Sequence, residues 1–191
     1  MRKIIVMLLG LTLLALGISF IIQSNFGADP VTVMFTGVAN LLNVTIGRAS
    51  QIIMVCLIVI VYFVDKSKLG FATVSHAVLV GFLMDFFMTF SLPQGIISNV
   101  LGVTIMSAGL AMYITAELGA GALDCVTMIL VNKSKLEFKY VRIGLDVVFV
   151  AIGLVLDATI GYGSMIAVVI TGPLIQMFLK QFNTIKKLRT A

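Results

Sequence analysis

Long uninterrupted apolar segments dominate the pattern of hydrophobic and polar positions along the chain. Six of them are long enough, or nearly so, to cross about 30 Å of hydrocarbon as helices that rise about 1.5 Å per residue. They cover residues 4–23, 49–64, 72–90, 96–116, 140–157 and 162–180. The pattern therefore predicts an all-α integral membrane protein with six transmembrane helices.

Two further apolar segments, residues 30–43 and 124–132, are too short to cross easily. Each follows a Gly-Ala phrase and begins at an aspartate, in GADPVTVM at 27–34 and in GALDCVTM at 121–128. Thirteen or so helical residues reach only about 20 Å. We therefore predict one re-entrant half-helix after the first span of each half of the chain. An alternative stays open in which both segments cross and the protein has eight spans.

The two halves of the chain repeat the same landmarks in the same order. These landmarks are Asp-x-Val-Thr at 29–32 and 124–127, Arg48 and Arg142 opening the next span, Asp65 and Asp157 ending it, and GFAT at 70–73 against GYGS at 161–164. We interpret the recurrence as a duplication, with repeat one at about residues 1–92 and repeat two at about 93–191. Together the repeats form a single membrane domain.

The distribution of basic residues predicts the topology. With six spans, only Arg48 of the 13 basic residues lies on one side of the membrane. The crowded side carries Arg2, Lys3, Lys66, Lys68, Lys133, Lys135, Lys139, Arg142, Lys180, Lys186, Lys187 and Arg189. The positive-inside bias makes that side cytoplasmic, with both termini inside. Three spans in each repeat give the two halves opposite orientations, the inverted repeat common in secondary transporters.

Composition excludes several classes of protein. Residues are 60% hydrophobic and only 11% charged, which leaves too little polar surface for a soluble domain of 191 residues. The net charge of +5 lies at span ends, so it indicates topology and no nucleic-acid partner. Cys56 and Cys125 lack metal or disulfide spacing, and no catalytic triad or phosphate-loop pattern occurs. We expect a non-enzyme without metal or cofactor, whose partners are the lipid bilayer and a small molecule. Homo-oligomerisation is left open.

Aspartates within apolar sequence are the first candidate binding residues. Asp29 and Asp124 stand at the half-helix starts, where an aspartate can cap the helix or face a ligand near the positive end of the helix dipole. Asp85 lies inside the third span with no cation within a helical turn. Such a carboxylate faces either interfacial water or a proton or cation site.

Three further residues complete the candidate site. Arg142 and Asp146 are spaced i, i+4 and can pair on one helix face, either as a structural ion pair or to bind and orient an anionic substrate group. His76 is the only histidine. It fits an interfacial position, with a proton relay as the alternative.

Several motifs carry a resemblance to a known family. They are GADP at 27–30, LGAG at 118–121, Asp124, Val141-Arg142 with Asp146, IGYGS at 160–164 and GPL at 172–174. The chain resembles the YczE/YyaS/YitT-type bacterial integral membrane proteins over nearly its whole length. It departs from their pattern at Ala122-Leu123, where Gly-Pro is common, and at Asp157-Ala158, where Gly-Gly is usual. The resemblance implies a multi-pass plasma-membrane protein of transporter-like build and names no substrate.

The function that these features predict is secondary transport of a small polar metabolite, coupled to a proton or another cation. The binding site is expected near the bilayer midplane at the half-helix starts. Two alternatives remain. One is a substrate-binding membrane subunit of an energy-coupling vitamin-type importer, which the size fits. The other is a non-transporting membrane partner of another protein.

Overall fold

Helices make up the regular secondary structure of the computed structural model. It describes the backbone of residues 2–188 and, in that range, all side chains except those of residues 2, 138, 139, 166 and 185–188. No strand occurs in the described backbone. The helices are α1 (Arg2–Gln23), α2 (Pro30–Leu42), α3 (Ile46–Asp65), a short 3-10 helix (Lys66–Lys68), α4 (Phe71–Met88), α5 (Ile96–Thr115), α6 (Ala122–Ser134), α7 (Phe138–Val155) and α8 (Tyr162–Leu188).

The six long helices and two short helices match the elements that the sequence predicts. The two short helices, α2 and α6, have 13 residues each. Asp29 directly precedes α2, as expected for a capping residue. The predicted start of α6 is wrong, because α6 begins at Ala122 and Asp124 is its third residue. Gly121, the last residue of a Gly-Ala-Gly sequence, occupies the N-cap position instead.

Five helices of the described chain, α1, α3, α4, α5 and α8, are long and apolar enough to cross a membrane. Helix α7 has 18 residues but carries Lys139, Arg142 and Asp146. Large apolar side chains cover the outside of the helices, including Phe63 at 81% exposure and Val155 at 83%. Such surfaces fit contact with lipid tails. The chain is a multi-pass membrane protein.

Not all of the basic residues that predict the topology are described. Arg189 lies outside the described residues, and so do the side chains of Arg2, Lys139, Lys186 and Lys187.

The chain divides into two compact units. The first unit contains residues 1–29, 86–118 and 161–191, and the second contains residues 30–85 and 119–160. Each unit thus takes segments from both halves of the chain.

Backbone contact between α1 and α5 holds the first unit together. A β-carbon added to Gly10 would lie 2.6 Å from Tyr113 N, and one added to Gly102 would lie 2.8 Å from Gly17 O. Glycines at these positions let the two helix backbones touch, as in closely packed transmembrane helices. The first unit is therefore built on a seam that tolerates no side chain.

The second unit contains α2, α3, α6, α7 and most of α4. Its apolar core gathers Met34, Phe35, Met54, Ala77, Ala122, Leu123 and Phe149. Helices α2 and α7 approach closely where Gly37 faces Gly153, since a β-carbon on Gly37 would lie 2.9 Å from Gly153 Cα. Gly47 on α3 and Gly81 on α4 make a similar close contact.

Left-handed backbone recurs at a constant interval along the chain. Asn25 and Glu117 have φ of 56° and 55°. Gly27 and Gly119 have φ of 115° and 123°. Asn43 and Lys135, which follow α2 and α6, have φ of 51° and 58°. The two members of every pair stand 92 positions apart. Residues other than glycine rarely adopt positive φ, so these positions mark similar turns in the two halves of the chain.

Candidate functional site

A cluster of three charged side chains lies in the second unit. The guanidinium of Arg142 on α7 lies between Asp124 on α6, at 3.4 Å from Nη1 to Oδ1, and Asp146 on α7, at 3.3 Å from Nε to Oδ1. The three side chains are only partly exposed, 32% for Arg142 and Asp124 and 26% for Asp146. We call these residues the Arg142 cluster. Its formal charge is −1.

The Arg142–Asp146 pair and Asp124 are positioned for different reasons. Arg142 and Asp146 are one helical turn apart and pair because residues at i and i+4 share a face. Asp124 comes from the first turn of α6, where backbone N–H groups are unsatisfied and a carboxylate is favoured. The sequence predicted all three residues and the i, i+4 pair. The pairing of Asp124 with Arg142 depends on packing of α6 against α7, which spacing along the chain does not indicate.

A hydrogen-bonded junction fixes the start of α6. Gly119, with φ of 123°, packs against Gly70 in the loop before α4, so that an added β-carbon would lie 3.0 Å from Gly70 Cα. The Thr73 hydroxyl donates to Ala120 O at 2.6 Å and accepts from Gly70 N at 3.0 Å. We call this contact between residues 70–73 and 119–121 the second-unit junction. It determines where Asp124 points by fixing the loop just before it.

Asp85 closes the amino-terminal end of α3. Its Oδ2 accepts from the Thr45 hydroxyl at 2.5 Å, and its Oδ1 accepts from Gly47 N at 3.0 Å. Thr45 in turn caps the helix by accepting from Arg48 N at 3.2 Å. A carboxylate at this position satisfies otherwise unpaired N–H groups and complements the helix dipole. The structure thus gives Asp85 a structural task, and its predicted role in ion binding stays a prediction.

Removing the Asp85 carboxylate should destabilise the protein without removing the Arg142 cluster. We expect Asp85→Leu to cost about 1–3 kcal/mol, because Gly47 N–H and the Thr45 hydroxyl lose their acceptor. At about 2–4 °C per kcal/mol for a chain of this size, the melting temperature of the purified protein should fall by about 2–12 °C. Glu137→Leu is the control, since Glu137 is the N-cap residue of α7 and its side chain makes no capping hydrogen bond. Equal melting temperatures for the two variants would contradict the capping role.

The remaining two candidate residues are Asp29 and His76. Asp29 is the last residue of the loop between α1 and α2. It belongs to the first unit and is half-buried. His76 is half-buried on α4, nine residues before Asp85. Nine residues are two and a half helical turns, so the two side chains leave opposite faces of α4 about 13 Å apart. A direct proton relay between His76 and Asp85 has no support in this geometry.

The structure also brings together polar residues that sequence reasoning missed. Asn99 near the start of α5 is fully buried and donates from Nδ2 to Gly27 O at 2.9 Å and to Ser24 Oγ at 3.1 Å. Gly163, at the start of α8, packs directly against the Asn99 side chain. We call this contact between residues 24–27, Asn99 and residues 161–164 the first-unit junction. An asparagine on a span without charged residues was the available signal.

Comparison with known proteins gives relatives but no activity. A model of a family of unknown function, DUF6198, matches residues 1–180. An uncharacterised protein of Haemophilus influenzae is 26% identical over 183 residues, which are 93% of this chain and 84% of that protein. The uncharacterised membrane protein YczE of Bacillus subtilis is 27% identical, with 90% and 83% of the two chains covered. YyaS of the same organism is 24% identical, with 90% and 89% covered.

These matches confirm the resemblance to YczE and YyaS that the sequence motifs indicate. The relatives are described as uncharacterised. No solved structure matches the chain. The site therefore has to be judged on its own geometry.

Proposed function

The chain belongs to the DUF6198 family, and we propose that it is a secondary transporter of a small polar metabolite, coupled to a proton or another cation. The observation that carries this proposal is the Arg142 cluster. It places three partly exposed charged side chains on two adjacent helices of a membrane protein. We propose that this cluster lies within the membrane, where charged residues are rare and mark substrate and ion pathways.

The geometry of the Arg142 cluster supports ligand binding over a purely structural ion pair. Its two ion-pair distances, 3.4 Å and 3.3 Å, are longer than the roughly 2.7–2.9 Å of strong charge-assisted hydrogen bonds. They engage Nη1 and Nε, whereas a guanidinium has five N–H donors in a planar fork. Donors therefore remain for a carboxylate or phosphate group of a substrate. Asp124 and Asp146 hold the fork in place before the substrate arrives.

Recurring geometry in the two halves of the chain supports the inverted repeat. Gly27 lies against Gly161 in the first-unit junction as Gly119 lies against Gly70 in the second. The backbone hydrogen bond from Ser164 N to Gly161 O is 3.0 Å, and that from Thr73 N to Gly70 O is also 3.0 Å. Repeated units of this kind are typical of secondary transporters that alternate access to a central site. We propose the six-span topology with both termini in the cytoplasm.

The charges suggest what the transporter binds and how it is driven. An anionic group of the substrate would pair with Arg142. Arg142 would then exchange part of its contact with Asp124 for the substrate. Protonation of Asp124 would favour that exchange, because a neutral carboxyl competes less for the guanidinium. Substrate and proton would therefore bind together.

A ligand screen on the purified protein tests the binding part of this proposal. The melting temperature is measured with small carboxylates, phosphates, amino acids and amines at millimolar concentration. We expect stabilisation by compounds with a carboxylate or phosphate group, since a ligand that binds only the folded state raises its stability. Stabilisation by simple amines alone, with no anionic compound active, would contradict Arg142 as the anion-binding group. Co-purification with ATPase subunits would instead favour the importer alternative.

A further inference from the structure

We propose that the first-unit junction binds a monovalent cation, Na⁺ in the first instance, between Asn99 and Ser164. The ligands are uncharged side-chain oxygens buried where the loop after α1 meets the starts of α5 and α8. The proposal that this cation binds depends only on the contacts of the first-unit junction. A role of this ion in driving transport rests on the proposed function.

Asn99 provides the first oxygen. Its side chain is fully buried, and both Nδ2 hydrogens are used, for Gly27 O and Ser24 Oγ. The acceptors Gly27 O and Ser24 Oγ fix the orientation of the amide, so Oδ1 must point the other way. Within the described residues, Oδ1 has no hydrogen-bond donor. A buried amide oxygen left without a partner is costly, so it calls for a bound group.

Ser164 provides the second oxygen, and it contacts the same glycine, Gly27. Its side chain is 8% exposed, and its Oγ has no hydrogen-bond partner among the described residues. A β-carbon added to Gly27 would lie 2.7 Å from that Oγ. The same glycine accepts the hydrogen bond from Asn99. Gly27 therefore contacts both Asn99 and Ser164.

In the second-unit junction, the hydroxyl that corresponds to that of Ser164 has hydrogen-bond partners. There Thr73 holds the position that corresponds to Ser164, and its hydroxyl both donates to Ala120 O and accepts from Gly70 N. The hydroxyl of Ser164 lacks these contacts although the backbone around it is alike. Thus only one of the two similar junctions has unsatisfied oxygens. The difference points to a bound group at the first-unit junction and not to a general property of the fold.

The charge of the surrounding segments favours a cation as that group. Residues 4–29, 86–118 and 161–179, which belong to the first unit, contain Asp29 and Glu117 but no lysine or arginine. Glu117 pairs with Lys3 at 3.3 Å. Asp29 stands two residues beyond Gly27 and adds a negative charge to the segment that enters the junction. Hard oxygen ligands of this kind suit alkali and alkaline-earth ions.

Thermal unfolding in different salts tests this site without any transport substrate. The full chain carries Cys56→Ser, so that a fluorogenic maleimide reports unfolding through the buried Cys125. Sodium chloride is compared with choline chloride at the same ionic strength. If Na⁺ reaches 10 to 100 times its dissociation constant, the melting temperature should rise by about 3–11 °C over choline. Equal melting temperatures in the two salts would overturn the proposal and leave an ordinary buried polar contact.

Variants separate the site from general stability. Ser164→Ala should lose the sodium-dependent shift, whereas Ser164→Thr should keep it, because Thr73 occupies the corresponding position of the other junction. Asn99→Leu should also lose the shift, and the two Ser164 variants decide the matter if that protein does not fold. Arg142→Gln should retain the shift. Persistence of the full shift in Ser164→Ala would show that sodium binds elsewhere. If sodium raises the melting temperature but no anionic compound does so in the ligand screen, the cation site is supported and the proposed transport function is rejected.

Discussion

Arg142→Gln should weaken binding of the anionic substrate by at least about 30-fold. Loss of one partner from a partly buried, hydrogen-bonded charge pair typically costs about 2–5 kcal/mol, and each 1.4 kcal/mol is a factor of ten. The variant also leaves Asp124 and Asp146 without their shared cation. Both effects act against an anion. Titration of the stabilising compound from the ligand screen, followed by melting temperature, measures the change in affinity.

Two further variants make this result specific. Arg142→Lys keeps the charge but loses the planar fork, so it should bind more weakly than the wild type and more tightly than Arg142→Gln. Lys3→Gln with Glu117→Gln removes an exposed ion pair, 59% exposed on both sides, and should bind normally. Wild-type affinity in Arg142→Gln would exclude the Arg142 cluster as the anion site.

Gly17→Ala should strongly destabilise the first unit, although it adds only one methyl group. That methyl would overlap Met106 N and lie 2.6 Å from Met106 Cα and 2.7 Å from Gly102 O. These are backbone atoms, so relief requires α1 and α5 to separate. Overpacking usually costs about 1–3 kcal/mol, and a clash with backbone on α5 belongs at or above the upper end. We expect a melting temperature lower by about 6–12 °C, or no monodisperse protein in detergent.

Gly144→Ala is the matched control for Gly17→Ala. Gly144 also lies inside a long helix, α7, but a β-carbon there would meet no atom within 4 Å. Alanine has a higher helix propensity than glycine, so this variant should be neutral or slightly stabilising. Similar losses of stability in both variants would mean that the α1–α5 seam is not close-packed.

The fold was largely predictable because one physical constraint dominates it. In lipid, each backbone N–H and C=O must be paired within the protein, so long apolar segments become helices. This constraint predicts α1, α3, α4, α5 and α8 from hydropathy alone. Boundaries were harder where glycines replace a clear capping residue. For that reason the start of α6 was assigned to Asp124 and not to Ala122.

The candidate site was predictable residue by residue but not as an arrangement. Charged side chains are costly to place in a membrane, so Asp85, Asp124 and Arg142 can be identified as candidates from the sequence whatever their packing. Only packing shows that Asp124 meets Arg142, whereas Asp85 meets the end of α3. Asn99 and Ser164 are not among the predicted site residues because neutral polar residues are common in membrane helices. Their importance lies in which oxygens remain unpaired, and the sequence does not contain that information.

Substrate-driven proton movement in proteoliposomes tests whether the Arg142 cluster couples substrate transport to proton transport. The vesicles contain a pH-sensitive dye, and the anionic compound from the ligand screen is added outside. We expect internal acidification with wild-type protein and with Lys3→Gln/Glu117→Gln. We expect none with Arg142→Gln and none with Asp124→Asn, which should still bind the compound. Acidification by Asp124→Asn at the wild-type rate, or by Arg142→Gln at the same compound concentration, would contradict the Arg142 cluster as the site of coupled transport.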